Sequence, residues 1–313
     1  MRSQYRSAAD RYIAVVSDLA ADLDAIHARR AVCERSDRGL LAVSGRDALA
    51  LLQNTITQDI AGLAIGASAP SLMLTPKGRP LADMLVVRTA EDAFLLICEP
   101  EAQAPLAQTL RRYRLASKAA IDDVRAETAV LEVFGDVPEL TDAFVVDGPL
   151  GTVVVGAVQA VEAALASLVA RGFRAVGPEA REILRIERGV PLHGSDFDES
   201  TLPAEAALTE HAIAFEKGCY IGQEPVARLH YRGHANRLLW RLELSGSVEL
   251  PSSLRQGDRE VGRLTSVAML PDSRVVALGY LRRQIDEDRP VTTGAEGGGE
   301  RTARLVGLAG ARP

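Results

Sequence analysis

Hydrophobic and polar residues follow two different periods in the first third of the chain. The apolar run at residues 39–45 (GLLAVSG) predicts a short strand, whereas residues 46–60 (RDALALLQNTITQDI) carry apolar side chains at helical spacing. Residues 71–88 (SLMLTPKGRPLADMLVVR) contain two apolar runs around a Pro-Lys-Gly-Arg turn, which predicts a β-hairpin. Residues 93–99 (AFLLICE) predict a strand, and residues 101–115 predict a helix with a basic exposed side. This order of elements resembles a ferredoxin-like unit.

The middle third repeats the mixture of strands and helices. Residues 129–135 (AVLEVFG) and 151–158 (GTVVVGAV) predict strands. Residues 159–172 (QAVEAALASLVARG) and 177–189 (GPEAREILRIERG) predict helices that each end at a glycine, and the second has a proline near its start. The sequence therefore predicts an α+β protein.

After residue 233 the pattern changes to short apolar runs separated by Pro, Gly, Ser and Asp, for example NRLLWRLELSG and VVALGYLRR. This pattern is typical of a small all-β module. We expect an N-terminal helical extension at residues 1–35, a first module at 36–125, a second at 126–232 and the all-β module at 233–313.

Composition and charge narrow the class of protein. The chain has 313 residues and a formal net charge of −6, so direct binding to nucleic acid is not expected. It lacks an apolar run of membrane-spanning length, and its start lacks the regions of a signal peptide. We expect a cytoplasmic monomer that does not associate with membranes. The three cysteines are far apart and form no C-x-x-C pair, so no stably bound metal is predicted.

One cysteine lies in an unusual stretch, KGCYIGQEPVARLHYRG at residues 217–233. Cations and backbone N–H groups favour a thiolate, and Lys217 and Arg228 supply cations near Cys219 in sequence. Two glycines in the same stretch allow a tight loop. Three interpretations stay open for Cys219: an acyl-transfer nucleophile, a redox or cluster-handling thiol, and a structural loop cysteine.

Carboxylates form a second group of candidates. Asp196, Asp198 and Glu199 follow a predicted helix and could hold a cation, although their spacing is not that of a calcium loop; a solvated acidic loop is the alternative. Glu187, near the end of that helix, could be a surface partner of nearby arginines or could accept two parallel N–H bonds from a guanidine-like heterocycle. Asp83, in the hairpin, could be an edge-strand charge or an inward carboxylate that faces a ligand.

The stretch KGCYIGQE, followed by Arg228 and Gly233, resembles the signature of YgfZ-type proteins. These are folate-binding proteins linked to iron–sulfur cluster assembly or repair and to tRNA modification by an iron–sulfur enzyme. They belong to the superfamily of the glycine-cleavage T-protein, a tetrahydrofolate-dependent aminomethyltransferase. VSGRDALALLQNTITQDI, TPKGRPLADMLVVR, LRIERGVPLHGSDFDESTLPAEAAL and VGRLTSV are also similar to superfamily segments, so the resemblance covers most of the chain.

The resemblance implies a T-protein-like fold, in which two interleaved ferredoxin-like modules and a C-terminal β-barrel surround a central folate cavity. The first module would include a return segment near residues 175–230. Tetrahydrofolate is the implied cofactor, with Glu187 on the pterin and Asp83 beside the folate nitrogens. Arg228 and Tyr220 complete the implied folate-binding set, because an arginine suits the glutamate tail.

Cys219, Lys217 and Asp83 are the residues that the resemblance implies for any chemistry. Iron–sulfur proteins or assembly factors are the implied partners, and any effect on tRNA would be indirect. Two alternatives stay open: a tetrahydrofolate-dependent aminomethyltransferase, and a partner-binding scaffold without folate.

This chain departs from the T-protein at two positions. The T-protein has Phe-Ile-Gly where this chain has Cys219 to Gly222, and it lacks the cysteine. It also has two adjacent acids in the hairpin, whereas this chain has Ala82 and Asp83. A one-carbon transfer needs carboxylates that orient the reacting nitrogens, so the loss of one acid weighs against transferase chemistry.

Overall fold

The computed structural model describes residues 18–115, 117–294 and 299–310. Residues 1–17 of the predicted helical extension lie outside this part of the chain. The helices are α1 (Leu19–His27), α2 (Ala48–Thr55), α3 (Pro100–Arg114), α4 (Val158–Ala170), α5 (Pro178–Arg188), α6 (Thr209–Ala212) and α7 (Gln223–Arg232). The strands are β1 (Ala31–Glu34), β2 (Gly39–Ser44), β3 (Ser68–Leu74), β4 (Pro80–Ala90), β5 (Ala93–Cys98), β6 (Ala120–Asp123), β7 (Thr128–Phe134), β8 (Ala143–Asp147), β9 (Thr152–Ala157), β10 (Arg174–Ala175), β11 (Arg237–Leu244), β12 (Ser253–Gln256), β13 (Arg259–Met269), β14 (Val275–Arg282), β15 (Val291–Gly294) and β16 (Glu300–Leu308).

The first sheet has the strand order β3-β4-β5-β2-β6. Alternate residues of its strands, such as Met73, Ala82 and Leu96, pack against α2 and α3 in one buried cluster. The hairpin predicted from the apolar runs is present, since β3 pairs antiparallel with β4 and the amide of Thr75 donates to the carbonyl of Arg79 over 2.8 Å. The face of this sheet that points away from α2 and α3 is called the inner face below.

The second sheet has the order β10-β1-β7-β9-β8. Its strands lie before and after those of the first sheet in the sequence. Strand β1 precedes all strands of the first sheet, yet it pairs antiparallel with β7, with Glu34 opposite Leu131. It also pairs in parallel with β10. Helix α4 packs on one face through Val161 and Leu168. The first sheet is therefore an insertion between two neighbouring strands of the second.

The two sheets pack against each other through an apolar layer. Leu40, Leu85 and Ile97 of the inner face form one buried cluster with Val130 and Val155 of the second sheet. Side chains that alternate in direction along each strand thus give each central strand two buried faces. Burial of both faces explains why the central strands have nearly continuous apolar sequences.

The C-terminal strands close into a six-stranded barrel in the order β11-β14-β13-β12-β15-β16. Helices α1 and α5 cover one side of it, where Ile26 and Ile183 share a buried cluster with Leu278. Helix α5 ends at Gly189, which has a left-handed φ of 70°. A glycine adopts this conformation without a Cβ penalty, as the predicted helix end requires.

The α+β class and the C-terminal barrel predicted from the sequence are confirmed. The elements that were not predicted are strands β1, β6, β8, β10, β12 and β15 and helices α6 and α7. Helix α7 follows the cysteine motif directly, and its first turn contains Pro225, a residue that is tolerated there because the first amides of a helix have no intrahelical acceptor. In the part of the chain that the structure describes, no helix combines the length and apolarity needed to cross a bilayer.

Candidate functional site

Three charged residues form a row across the edge of the inner face. Leu72 of β3 is the cross-strand partner of Asp83, and Met84 of β4 and Gly39 of β2 both pair with Cys98 of β5. Asp83 precedes Met84, Glu99 follows Cys98 and Arg38 precedes Gly39, so these three charged residues lie side by side at the next position of the register. Arg38 forms an ion pair with Glu99.

Asp83 faces inward because its neighbours Ala82 and Met84 face the opposite cluster around α2 and α3. Its Oδ1 is shielded from solvent and has no hydrogen-bond partner within the described residues. Burial raises the pKa of Asp83, Glu99 raises it further, and the positive charges of Arg38 and His193 oppose the shift. An unsatisfied buried carboxylate oxygen is costly, so this position has the character of a ligand contact.

His193 lies in the loop after α5 and contributes to the electrostatic surroundings of Asp83. Its Nδ1 is also buried and has no hydrogen-bond partner in the described part of the chain. Its ring packs edge-on against Phe197, with centroids 5.4 Å apart. We call Arg38, Asp83, Glu99 and His193 together the Asp83 site.

Residues 217–222, here called the cysteine loop, cross the end of the same face. The ammonium of Lys217 is buried and donates to the carbonyls of Ile56 and Gln58, each over 2.8 Å. Burial lowers the pKa of Lys217 to about 8. Lys217 thus attaches the loop to the segment that follows α2.

Tyr220 and Gly222 fix the other half of the loop. Tyr220 is buried in a cluster with Leu72 and Leu74, and burial raises its pKa to about 12. Gly222 has a φ of +76°, and a Cβ there would lie 2.4 Å from the carbonyl oxygen of Thr75. Only glycine permits this close approach of the loop to the β3–β4 hairpin.

Cys219 is exposed and is a free thiol. Arg228, on α7, is also exposed and forms no ion pair within the described residues. Lys217 therefore points into the protein, whereas Cys219 and Arg228 face solvent. The predicted roles of these three residues stay predictions.

Glu187 lies at the end of α5, away from the row described above. Its Oε2 is 3.3 Å from Nε2 of His27, and its backbone carbonyl accepts from Arg241 over 3.4 Å. The side chain retains 19% of its exposure. Among the described contacts, Glu187 and Asp83 have no common partner, so no described contact joins these two predicted folate-binding residues.

The acidic loop after α5 differs from the solvated loop that was one interpretation of its sequence. Asp196 is 1% exposed. Its Oδ2 accepts from Arg185 over 2.6 Å and from the amide of Leu192 over 2.9 Å, and its Oδ1 accepts from the hydroxyls of Thr265 and Ser266 over 2.5 and 2.8 Å. Asp196 therefore ties α5 to barrel strand β13, whereas Asp198 and Glu199 are exposed.

Sequence reasoning missed Arg38, Glu99 and His193. The signal for the first two was the strand register, because the residues directly after β5 and directly before β2 lie beside Asp83 on the same face. No local motif indicates His193, since it is brought to Asp83 by the return of the chain after α5.

Two surface clefts are found elsewhere. One of about 510 Å³ is lined by the start of β3, strand β8 and the turn at Asp136. The other lies between α2 and the end of α3. Neither is lined by a predicted site residue, and the central folate cavity stays a prediction.

Comparisons with known proteins agree with this architecture. The family model described as GCVT N-terminal domain matches residues 3–139. In solved structures, the glycine cleavage system aminomethyltransferase T from Bartonella henselae is similar with a TM-score of 0.78 and 22% identity, covering 93% of this chain and 88% of that one. At this identity the likeness concerns the fold alone, and it confirms the T-protein-like arrangement predicted from the sequence.

Two curated relatives are similar in sequence. A Mycosarcoma maydis protein named iron-sulfur cluster assembly factor IBA57 homolog, mitochondrial, is 27% identical over 218 residues, which is 63% of this chain and 53% of that protein. The tRNA-modifying protein YgfZ of Enterobacter sp. is 25% identical over 279 residues, which is 80% of this chain and 85% of that protein. The chain thus spans about half the length of the first relative.

The family model and these sequence likenesses support a YgfZ-type protein within the superfamily of the glycine-cleavage T-protein. The chain is similar, at low identity, to YgfZ and IBA57 proteins.

Proposed function

We propose that this protein binds a reduced folate and supports the assembly or repair of iron–sulfur clusters, and through an iron–sulfur enzyme supports tRNA modification. The observation that carries the folate part is the buried, unpaired Oδ1 of Asp83 on the inner face. A folate is rich in ring N–H and amino donors, which such an acceptor would bind. The names of the relatives support the cluster part.

The residues present fit a folate. Asp83 offers an acceptor for a ring or linker N–H, and Oε1 of Glu187 has no hydrogen bond within the described residues, so it remains available to a pterin. The exposed Arg228 suits a carboxylate tail. When bound, a reduced folate carries one-carbon units, while the chain's own carboxylates hold and orient it.

The exposed Cys219 supports an interaction with a partner. A single thiol cannot supply the four ligands of a common iron–sulfur cluster. The loop around it is fixed by Lys217 and Tyr220, so the thiol is held at the surface on a rigid support. We therefore propose that Cys219 acts on a cluster or thiol presented by an iron–sulfur protein or an assembly factor.

Calorimetric titration with tetrahydrofolate tests the folate part. We expect the wild type to bind, and both Asp83→Asn and Glu187→Ala to bind more weakly. Glu199→Ala is the matched control, because Glu199 is an exposed carboxylate outside the proposed contacts. Absence of binding by the wild type would remove the folate part of the proposal.

A cellular assay tests the thiol. Cells that lack the protein are supplied with wild type or Cys219→Ala, and the product of an iron–sulfur tRNA-modifying enzyme is measured. We expect loss of the modification with Cys219→Ala at normal protein abundance. Cys33→Ala is a control, since Cys33 is buried in β1. Full modification with Cys219→Ala would refute the role of this thiol.

A further inference from the structure

One polar group of the Asp83 site has no role in the function proposed so far. His193 is partly buried, and its Nδ1 is shielded from solvent without a hydrogen-bond partner within the described residues. A buried imidazole nitrogen without a partner loses hydration without compensation. The same is true of Oδ1 of Asp83. Two such atoms in the same site, from separate elements, indicate that a ligand supplies their missing hydrogen-bond partners.

The loop that carries His193 is held firmly on both sides. Asp196 anchors it to Arg185 and to the barrel, and also accepts from the amide of Leu192 directly before the histidine. The amide of Gly194 donates to the carbonyl of Phe197 over 2.8 Å, and the Phe197 ring packs on the imidazole. The position of the ring is therefore set before any ligand arrives, which lowers the ordering cost of binding.

The charges around the pair come from three elements. Arg38 and Glu99 lie beside Asp83 in the first sheet, and their ion pair occupies Glu99. Asp198, in the loop of His193, accepts a hydrogen bond from the amide of Ser200. The pKa of Asp198 is lowered mainly by its hydrogen bonds with Ser200 and, to a smaller extent, by His193. Since Arg38, Glu99 and Asp198 have partners, Oδ1 of Asp83 and Nδ1 of His193 are the atoms of this group that lack a hydrogen-bond partner within the described residues.

We propose that His193 is a second ligand-contacting residue of this site, and that its Nδ1 and Oδ1 of Asp83 together bind neighbouring polar atoms of one nitrogen heterocycle. This inference rests on the proposed folate binding and names a contact within it. The carboxylate accepts from an N–H, and the imidazole bonds to an adjacent ring or carbonyl atom. The pairing would favour a heterocycle that carries a donor beside a second polar atom.

Calorimetry with tetrahydrofolate tests the contact in the full-length protein. His193→Phe keeps an aromatic ring for Phe197 to pack on and removes both nitrogens, and we expect it to weaken binding about tenfold. His234→Gln is the control, because His234 is exposed; it should bind as the wild type does. Melting curves verify that each variant is folded.

Two polar replacements distinguish the two ring nitrogens. Asparagine places an amide atom near the position of Nδ1, whereas glutamine reaches the position of Nε2. We expect His193→Asn to recover much of the affinity that His193→Phe loses, and His193→Gln to recover little. A structural role of the ring alone would not separate these two variants.

The outcomes separate this inference from the proposal on which it rests. Absence of binding by the wild type overturns both. Normal binding by the wild type and by His193→Phe overturns the role of His193 alone and leaves folate binding intact. Weak binding by His193→Phe with recovery in His193→Gln rather than His193→Asn overturns the assignment to Nδ1.

Discussion

Two buried aspartates of this protein have opposite surroundings. Asp196 has both oxygens satisfied by an arginine, an amide and two hydroxyls, and it joins α5 to the barrel. Asp83 lies on the inner face of the first sheet with one oxygen unpaired and a carboxylate neighbour in Glu99. A satisfied buried charge holds the fold together, whereas an unsatisfied one costs stability and indicates a binding role.

The largest expected effect is the loss of the satisfied carboxylate. Asp196→Ala leaves Arg185 buried without this partner and frees two barrel hydroxyls, so the free energy of unfolding should fall by about 3–5 kcal/mol. Denaturant unfolding measures this fall. Glu199→Ala, in the same loop but exposed, should change it by less than about 0.5 kcal/mol. Similar values for both variants would contradict the structural role of Asp196.

Asp83→Asn should behave in the opposite way. It removes a charge that burial disfavours, so at neutral pH the free energy of unfolding should stay unchanged or rise by about 1 kcal/mol. Affinity for tetrahydrofolate should fall at least about tenfold in the same variant. Calorimetry and denaturant unfolding of one preparation measure both. A loss of stability as large as that of Asp196→Ala would contradict the claim that Asp83, unlike Asp196, does not stabilise the fold.

The pH dependence of stability sharpens the same contrast. Burial raises the pKa of Asp83 above its ordinary value of 3.8, so the folded state binds its proton more tightly than the unfolded state does. The contribution of Asp83 to stability is therefore fully present below that value and is lost as pH rises through the folded pKa. The stability difference between wild type and Asp83→Asn should be near zero in acid and should grow towards neutral pH. A difference that is constant with pH would contradict this prediction.

The surroundings of Glu187 are intermediate between those of Asp196 and Asp83, because His27 pairs with one of its oxygens and the side chain is partly exposed. Glu187→Gln should change the free energy of unfolding by less than about 1 kcal/mol, as exposed pairs contribute little. His27→Ala frees Oε2, so it should bind tetrahydrofolate as well as or better than the wild type. Weaker binding by His27→Ala would mean that His27 itself supports the ligand.

Much of the fold could be predicted from the sequence because its cues are local. The hairpin around residues 76–79 has its proline and glycine, and α5 has a proline at its start and Gly189 at its end. Strand β1 could not be predicted in this way. It is four residues long, and its partners β7 and β10 lie far away in sequence.

The candidate site was less accessible to sequence reasoning. Asp83 and Cys219 stand out in their own segments, but the row that joins Asp83 to Glu99 and Arg38 exists only through strand register. Asp196 has the same local sequence character as its exposed neighbours. Its burial depends on Thr265 and Ser266 of the barrel, about seventy residues later.

The insertion of the first sheet between β1 and β7 has a consequence for the order of events during synthesis. Strands β2 to β6 are complete once residue 123 has left the ribosome, whereas β1 is made earlier and waits for β7 and β10. Non-local pairs of this kind form slowly because a long loop must close first. The nascent chain would therefore fold its inserted sheet first, while β1 stays an unpaired strand until β7 has been made.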